Sequence, residues 1–593
     1  MIPPALSRLV CLLSALTLAG CSKSTAPRSS PSHPLPPSPL IAQGDPVQAG
    51  GRLVIAGTAS PKTFNPVVAF DSASDALVRL LFAPLVILDW PTQQPSPGLA
   101  ESWSVAPDQK TWTFKLRQGV RWSDGEPFTA DDVVFTWNDI MYNPDFNQAT
   151  YNLFRIGGRS FTVSKVDEFT VQVVTPEVFA PFLEFFGGVL ILPKHTLQTA
   201  VTAKVFPSAY GTSSKPGHIV GCGPYRLKEF QLGKFTLLEC NPEYWVVDRQ
   251  GHRLPGFDEV MFTVEAKSGA EAALFLAGKS DVCDTVRAQN YPQFKQAAAG
   301  ERFRLLELGV GAERDFLWFN QNTGTNPAGK PYVNPAHLKW FRNKKFRQAI
   351  SCAIDRDRLA TEAYGGRAQP TYGFISTENP KWNNPNIPRF QFDLARARAL
   401  LAEIGIQDRN GEGRMRDADG TQIEIPFYSN LGNLLREKAA ALIVADLKKL
   451  GVNLIYQPIE YRALVERINV TFDYECALMG LGGGGGDPAS QLNVLRSSEE
   501  LHQWFPLQQV PSTEWEARID ALLDAQMRTL DFAQRKKYFD EVQAILAEEQ
   551  PMIYTVAPLV NAAIRGNVAN LRPAVLTPYH LTWNLDDLYF KKN

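Results

Sequence analysis

Residues 97–137 read PGLAESWSVAPDQKTWTFKLRQGVRWSDGEPFTADDVVFTW. Within them TWTFKLRQGVRW (111–122) alternates apolar and polar side chains, which places Trp112, Phe114 and Leu116 on one face of a half-buried strand. The period then changes. In FTADDVVFTWNDIM (128–141) Thr129 precedes two acids and apolar residues recur at helical spacing, the start of a capped helix.

The same mixture extends outward from this stretch. RLVIAG (52–57) reads as a buried strand, DALVRLLFAPLVIL (75–88) as a helix running into another apolar segment, and GPYRLKEFQLGKFTLLECNPEYW (223–245) as two strands around Leu232-Gly233. The second half is richer in helical patterns, at 341–366, 393–405, 433–451 and 512–550, bracketed by the short strands FLWFN (316–320) and MIYTVA (552–557). An α/β body is expected. With 593 residues, 44% hydrophobic and 20% charged, the chain can bury several cores, so two or three globular domains are predicted. A net charge of -1, with no basic run longer than the one at 342–347, gives no electrostatic case for nucleic-acid binding.

Arg8 precedes LVCLLSALTLAG (9–20), an apolar run of signal-peptide length and too short to span a bilayer comfortably. Residues 1–20 are therefore expected to be a removed signal peptide. The run ends in Leu18-Ala19-Gly20-Cys21, which resembles a bacterial lipobox and implies lipidation of Cys21. Residues 21–50, rich in proline and serine, read as an extended, solvated tether. Export and lipid anchoring on the periplasmic or cell-surface face of a bacterial membrane follow from this reading. Beyond Cys11 and Cys21 five cysteines remain, an odd number. Cys222 and Cys240 flank the predicted hairpin and are the candidates for a disulfide, with free thiols the alternative.

Chemistry is sparse. No G-x-S-x-G appears, and the histidines at 33, 195, 218, 252, 337, 502 and 580 include no i,i+4 pair for a metalloprotease helix. ALFLAGKS (273–280) has Ala273 where a P-loop needs its first glycine. Asp408, Asn410, Glu412 and Asp419 stand at calcium-loop spacing around Gly413, yet position 12 is Asp and Arg414 and Arg416 add positive charge; a polar surface turn is the competing reading. In MGLGGGGGDP (479–488) Gly480, Gly482 and Gly485 satisfy G-x-G-x-x-G, but Asp487-Pro488 interrupts the turn where a helix should begin. No cofactor is expected.

The opening segment resembles the signature region of the bacterial extracellular solute-binding proteins of family 5, the oligopeptide- and dipeptide-binding subunits of ABC importers. Further similar blocks are PKTFNP (61–66), IVGCGPYRLKEF (219–230), NPEYW (241–245), AGKSDV (277–282), FLWFNQN (316–322), FRQAISCAIDRDRL (346–359) and GGRAQP (365–370). The resemblance implies a two-lobed periplasmic-binding-protein fold of type II with an inserted extra domain. Lobe I would comprise 51–315 plus 555–593, with the insertion at about 85–215, and lobe II 316–554. It also implies a monomer that captures a peptide or peptide-like solute between its lobes and delivers it to a permease with its ATPase.

Carried over residue by residue, one ligand edge would follow the TFNP-like motif, at Phe70, Asp71 and Ser72, though Asp71 also reads as a helix cap. The opposing edge often reads W-x-A-D-Y-x-D-P in the family, the acid holding a peptide's amino terminus. Here Asp487-Pro488 fit its end, while Leu481 replaces one aromatic, Gly484 the acid and Gly485 the second aromatic. Gly482, Gly484 and Gly485 would then form a cleft wall stripped of side chains. Asn493, Arg496 and Trp504 follow as candidate contacts, His502 lies beside them, and Asn320 is a candidate in the predicted hinge strand. The departure at Gly484 raises the alternative of an oligosaccharide or another non-peptide solute. A sensor or chaperone-like role is a further alternative; an enzyme is not expected, because no carboxylate pair is singled out by spacing.

Overall fold

Two β-sheets, of eight and five strands, organise the chain, which runs directly from a strand of one into a strand of the other at two adjacent points. This computed structural model describes residues 30–146, 154–265, 267, 269–300, 302–482 and 486–592. The larger sheet runs, in order, Tyr225–Gln231, Phe235–Cys240, Glu259–Val264, Arg52–Gly57, Val282–Cys283, Val556–Arg565 and Phe303–Val310; Ala368–Pro370 also pairs with Val556–Arg565. Arg52–Gly57 lies parallel to both of its neighbours, while Tyr225–Gln231 and Phe235–Cys240 form the antiparallel hairpin expected around Gly233. The smaller sheet runs Asn453–Ile459, Glu424–Asn430, Cys476–Leu481, Arg314–Phe319 and Met552–Tyr554.

Period-two alternation sorts the smaller sheet's side chains. Leu317 and Phe319 enter a core with Ile425, Phe427 and Leu478, whereas Phe316 and Trp318 enter a second core with Trp382, Trp504 and Tyr554. The helices predicted in this half are present as Lys344–Ala353, Leu394–Ala402 and Leu434–Leu450, capped by Asn343, Asp393 and Asn433. The pattern over 512–550 is two helices, Glu514–Met527 and Phe532–Glu549, because Asp531 caps the second one.

The opening stretch belongs to a separate four-stranded antiparallel sheet, Ala100–Val105, Thr111–Leu116, Thr170–Val174 and Thr162–Asp167. Trp112 and Phe114 stack on Phe182 and Phe186 there. Thr129 caps the helix Ala130–Phe135 in a full capping box with Asp132, and the helix then widens into a π-turn over Thr136–Met141. Residues 1–20 and Cys21 lie outside the described residues.

One expectation needs correction and one open alternative is decided. Residues 30–50 are not a solvated tether: Leu40–Ile41 pairs in parallel with Val246–Val247, and the amides of Ser32, Gly44 and Val47 donate to Glu243, Asp587 and Asp248 at 2.8, 3.1 and 3.0 Å. Composition predicted solvation because proline and serine dominate the segment, yet it is held by backbone hydrogen bonds and by Leu40, Ala42 and Val47 packed against the neighbouring core, which composition does not report. Second, no disulfide joins Cys222 to Cys240. Cys222 is buried and its thiol is pushed up to about 12 by that burial.

A chain beginning at Gly50 would leave Asp248 and Asp587 without these amides. Its unfolding free energy in urea is expected to fall by about 2–4 kcal/mol; an unchanged midpoint would show the segment to be dispensable.

Candidate functional site

The first crossing runs from Phe303–Val310 through Gly311–Glu313 into Arg314–Phe319, and the second from Met552–Tyr554 through Thr555 into Val556–Arg565. They are tied directly. The backbone amide and the hydroxyl of Thr555 both donate to the carbonyl oxygen of Asp315, at 2.9 and 3.0 Å. The Asp315 carboxylate in turn accepts from Arg436 Nε and Nη2 at 3.1 and 2.6 Å and from the Tyr364 hydroxyl. Burial works against the Arg436 charge, but Asp315 outweighs it and holds the guanidinium pKa above its ordinary value.

Gly480 faces Asp315 across the sheet, and a Cβ there would sit 2.5 Å from both Arg436 Nη2 and Asp315 Oδ1. Glycine is thus required at the start of the run by a packed ion pair. At its other end Gly486 lies against Glu184, where a Cβ would come within 2.2 Å of Oε1, and the Asp487 amide donates to that oxygen at 3.0 Å. The glycine run therefore begins at the hinge and ends at a seam between the lobes. Gly482, between these points, is exposed with open space around it. Gly484 and Gly485 lie outside the described residues.

The seam joins chain that precedes the first crossing to chain that lies between the two crossings. Besides Glu184 and Asp487, Lys381 Nζ donates to the Gln93 carbonyl at 2.7 Å, Ala180 N to the Met527 carbonyl at 2.7 Å, and Arg528 pairs with Glu177 at 3.1 Å. The lobes are closed on one another along this line. Burial, and next the Asp487 carboxylate, push the Glu184 carboxyl up to about 7. Burial likewise lowers the Lys381 ammonium, against the pull of Glu184 and Asp487.

Most sequence candidates have internal partners. Phe70 stands 66% exposed ahead of the helix Ser72–Leu81, whose first residue is Ser72. Asp71 caps that helix, accepting from Ser74 N at 2.9 Å and Ser74 Oγ at 2.7 Å. Asn320 is buried, not cleft-lining: its Nδ2 ties down the carbonyls of Phe472 and Tyr474 at 3.0 and 2.9 Å. Asp487 caps the turn Pro488–Gln491 and pairs with Arg535 at 2.8 Å. Arg496 pairs with Asp524, and Asn493 is exposed.

Trp504 is 0% exposed and donates Nε1 to Glu516 Oε1 at 2.9 Å. His502, also buried, contacts the same oxygen at 3.3 Å. The calcium spacing assembles no shell either: Asp408 accepts the amides of Glu412 and Gly413, Glu412 pairs with Arg416, and Asp419 pairs with Lys339 at 2.5 Å. Among the described residues no group of three acids, histidines or cysteines is placed to hold a metal.

Glu184, Lys381, Arg535 and the Asp315–Arg436 pair were not anticipated. A signal existed for Glu184, an isolated acid in the aromatic run FLEFF (182–186).

The sequence profile described as bacterial extracellular solute-binding proteins, family 5 middle, matches residues 94–502. A probable ABC transporter-binding protein of Deinococcus radiodurans is 28% identical, covering 87% of this chain and 88% of its own. The oligopeptide-binding protein AppA of Bacillus subtilis is 26% identical, covering 94% of each chain, and its structure with a nonapeptide superposes with a TM-score of 0.68 over 92% of this chain and 100% of its own, at 24% identity. The Agrobacterium fabrum periplasmic binding protein MelB, solved with stachyose, has a TM-score of 0.72 at 19% identity, covering 94% of this chain and 88% of its own. The two-lobed periplasmic-binding fold is shared with these structures.

Two substitutions test the site's framework. Gly480→Ala is expected to separate the Arg436–Asp315 pair and lower stability by about 1–3 kcal/mol in thermal melts. Glu516 would be raised by burial alone, but hydrogen bonds from His502, Gln508 and Thr513 hold it down to about 2, from an ordinary 4.5. A lowered pKa stabilises the folded state above the ordinary value, and that contribution disappears as pH falls from about 4.5 towards about 2. Glu516→Gln should therefore lose about 2–3 kcal/mol at neutral pH and show a flatter acid limb in urea titrations.

Proposed function

The chain belongs to the bacterial extracellular solute-binding proteins of family 5, and from that premise we propose that it is the lipid-anchored, solute-capturing subunit of an ABC importer. It takes a peptide or peptide-like solute between its lobes, 51–315 plus 555–593 on one side and 316–554 on the other, and presents the closed form to a permease. The observation that carries this reading is the pairing of a compact two-strand hinge at Asp315 and Thr555 with a polar seam at Glu184 and Asp487. Hinge closure around a solute needs such a pair: a fixed axis and a set of contacts made only when the lobes meet. No bond is made or broken in the captured solute. The solute offsets the ordering and desolvation of closure by touching both lobes at once.

Cys21 would carry the lipid, and the body would act as a monomer on the periplasmic or cell-surface face of a bacterial membrane. A second reading, capture of an oligosaccharide, is favoured by one feature: Gly484 stands where peptide-binding members carry an acid. MelB, with its stachyose, has the same fold.

Ligand held at a hundred times its dissociation constant is expected to raise the unfolding free energy by about 2.7 kcal/mol. Solution scattering should show the ligand-free protein to be more extended than the liganded one. Peptide and oligosaccharide libraries that leave both the melting transition and the scattering curve unmoved would overturn the proposal.

A further inference from the structure

The seam contains a carboxylate that neither lobe neutralises. Glu184 lies on the helix Phe182–Phe185, whose aromatic side chains pack into the core of the four-stranded sheet. Its Oε1 takes the Asp487 amide from the opposite lobe. Among the described residues no lysine, arginine or histidine forms an ion pair with it, although two cations stand nearby. Arg535 binds both oxygens of Asp487, at 2.9 and 2.8 Å, and also holds Gln526. Lys381 is directed at the Gln93 carbonyl. The charged groups facing Glu184 are thus Asp487, Lys381 and Arg535, and each cation already has another acceptor.

A carboxylate so placed is expensive to keep unless something pairs with it in the working state. Two features give a ligand access. Gly486 carries no side chain where a Cβ would collide with Oε1, so the lobes can meet over this carboxylate without covering it with a side chain. The second oxygen, Oε2, receives no protein hydrogen bond among the described residues, and the Glu184 residue is half-buried, not enclosed.

Resting on the solute-capture function above, we propose that Glu184 is the anchor for a cationic group of the captured solute, an ammonium such as a peptide's amino terminus. Oε2 accepts the ammonium while Oε1 is held by the Asp487 amide, so the contact is complete only when the lobes close. Recognition of the charge and closure of the hinge are then one event. Lys381, displaced from neither Gln93 nor the seam, sets the register and does not compete. Because Glu184 sits near neutrality when unpaired, an arriving ammonium favours its charged form and expels the fraction of proton it carries. Affinity for a cationic ligand should therefore rise as pH passes upward through about 7.

The probe is a lysine-free library of tri- to nonapeptides with free amino termini, beside the same library N-acetylated and a set of neutral oligosaccharides. Retention by the mature protein is read by native mass spectrometry, and retained species are titrated calorimetrically at pH 6 and pH 8. The wild type should hold free-amino peptides about tenfold or more over their acetylated forms, more strongly at the higher pH. Glu184→Gln, which keeps the acceptor for the Asp487 amide, should erase that preference and its pH dependence with the melting temperature of the unliganded protein little changed. Glu184→Asp should retain part of it.

Equal retention of both peptide libraries would overturn the inference. So would an equal loss of both in Glu184→Gln, since that is the mark of a seam contact without a recognition role. Retention of oligosaccharides alone would overturn it while leaving solute capture intact; retention of nothing would remove both.

Discussion

The join between the two sheets depends on the contacts made at Asp315. Its carbonyl accepts both donors of Thr555, and its carboxylate holds Arg436 and Tyr364. The backbone half of this node fastens the two crossings to each other. The side-chain half fastens one crossing to the helix Leu434–Leu450. Lobes linked by two independent strands could twist as well as swing; strands fastened at one residue share a single axis. Ala368–Pro370 strengthens that axis by pairing with Val556–Arg565 just beyond the crossing. A buried ion pair is a poor source of net stability, so its value here lies in geometry.

The seam differs from the hinge in kind. At the hinge the buried Asp315 has its counter-charge in Arg436, and the loss of either would leave the other unpaired. At the seam the contacts are single hydrogen bonds to two carbonyls, one amide donated to a carboxylate, and one ion pair at the partly exposed rim. Such contacts contribute roughly 0.5–1.5 kcal/mol each. A seam of that strength closes reversibly, and a solute bridging the lobes can decide the balance.

Sequence carried the fold much further than the site. The alternation around Trp112 and Phe114, the Thr129 capping box, the hairpin at Gly233 and the helix caps at Asn343, Asp393 and Asn433 are local features, and local periodicity and capping chemistry expose them. The order of strands in the sheets joins segments hundreds of residues apart, and no local pattern encodes it. Of the candidate contacts, Asn320 and Trp504 were chosen by residue type and Asp487 by its place at the end of a family motif. Type does not say whether a polar group meets a ligand or a backbone carbonyl, and in these three the protein itself supplies the partner. Residues 30–50 misled for the related reason that hydrogen bonding through the backbone leaves no trace in composition.

The glycine run shows how one sequence feature can hold two unrelated constraints. Gly480 is glycine because an ion pair occupies the space of its side chain; Gly486 is glycine because a carboxylate from the other lobe does. The first constraint exists whether the lobes are open or closed, since Asp315 and Gly480 pair within one sheet and Arg436 reaches Asp315 from the helix Leu434–Leu450. The second exists only on closure. A side chain at 480 would therefore act on folding, and one at 486 on the distance to which the lobes can approach. The run reads as uniform in the sequence, but its two ends answer to the hinge and to the seam.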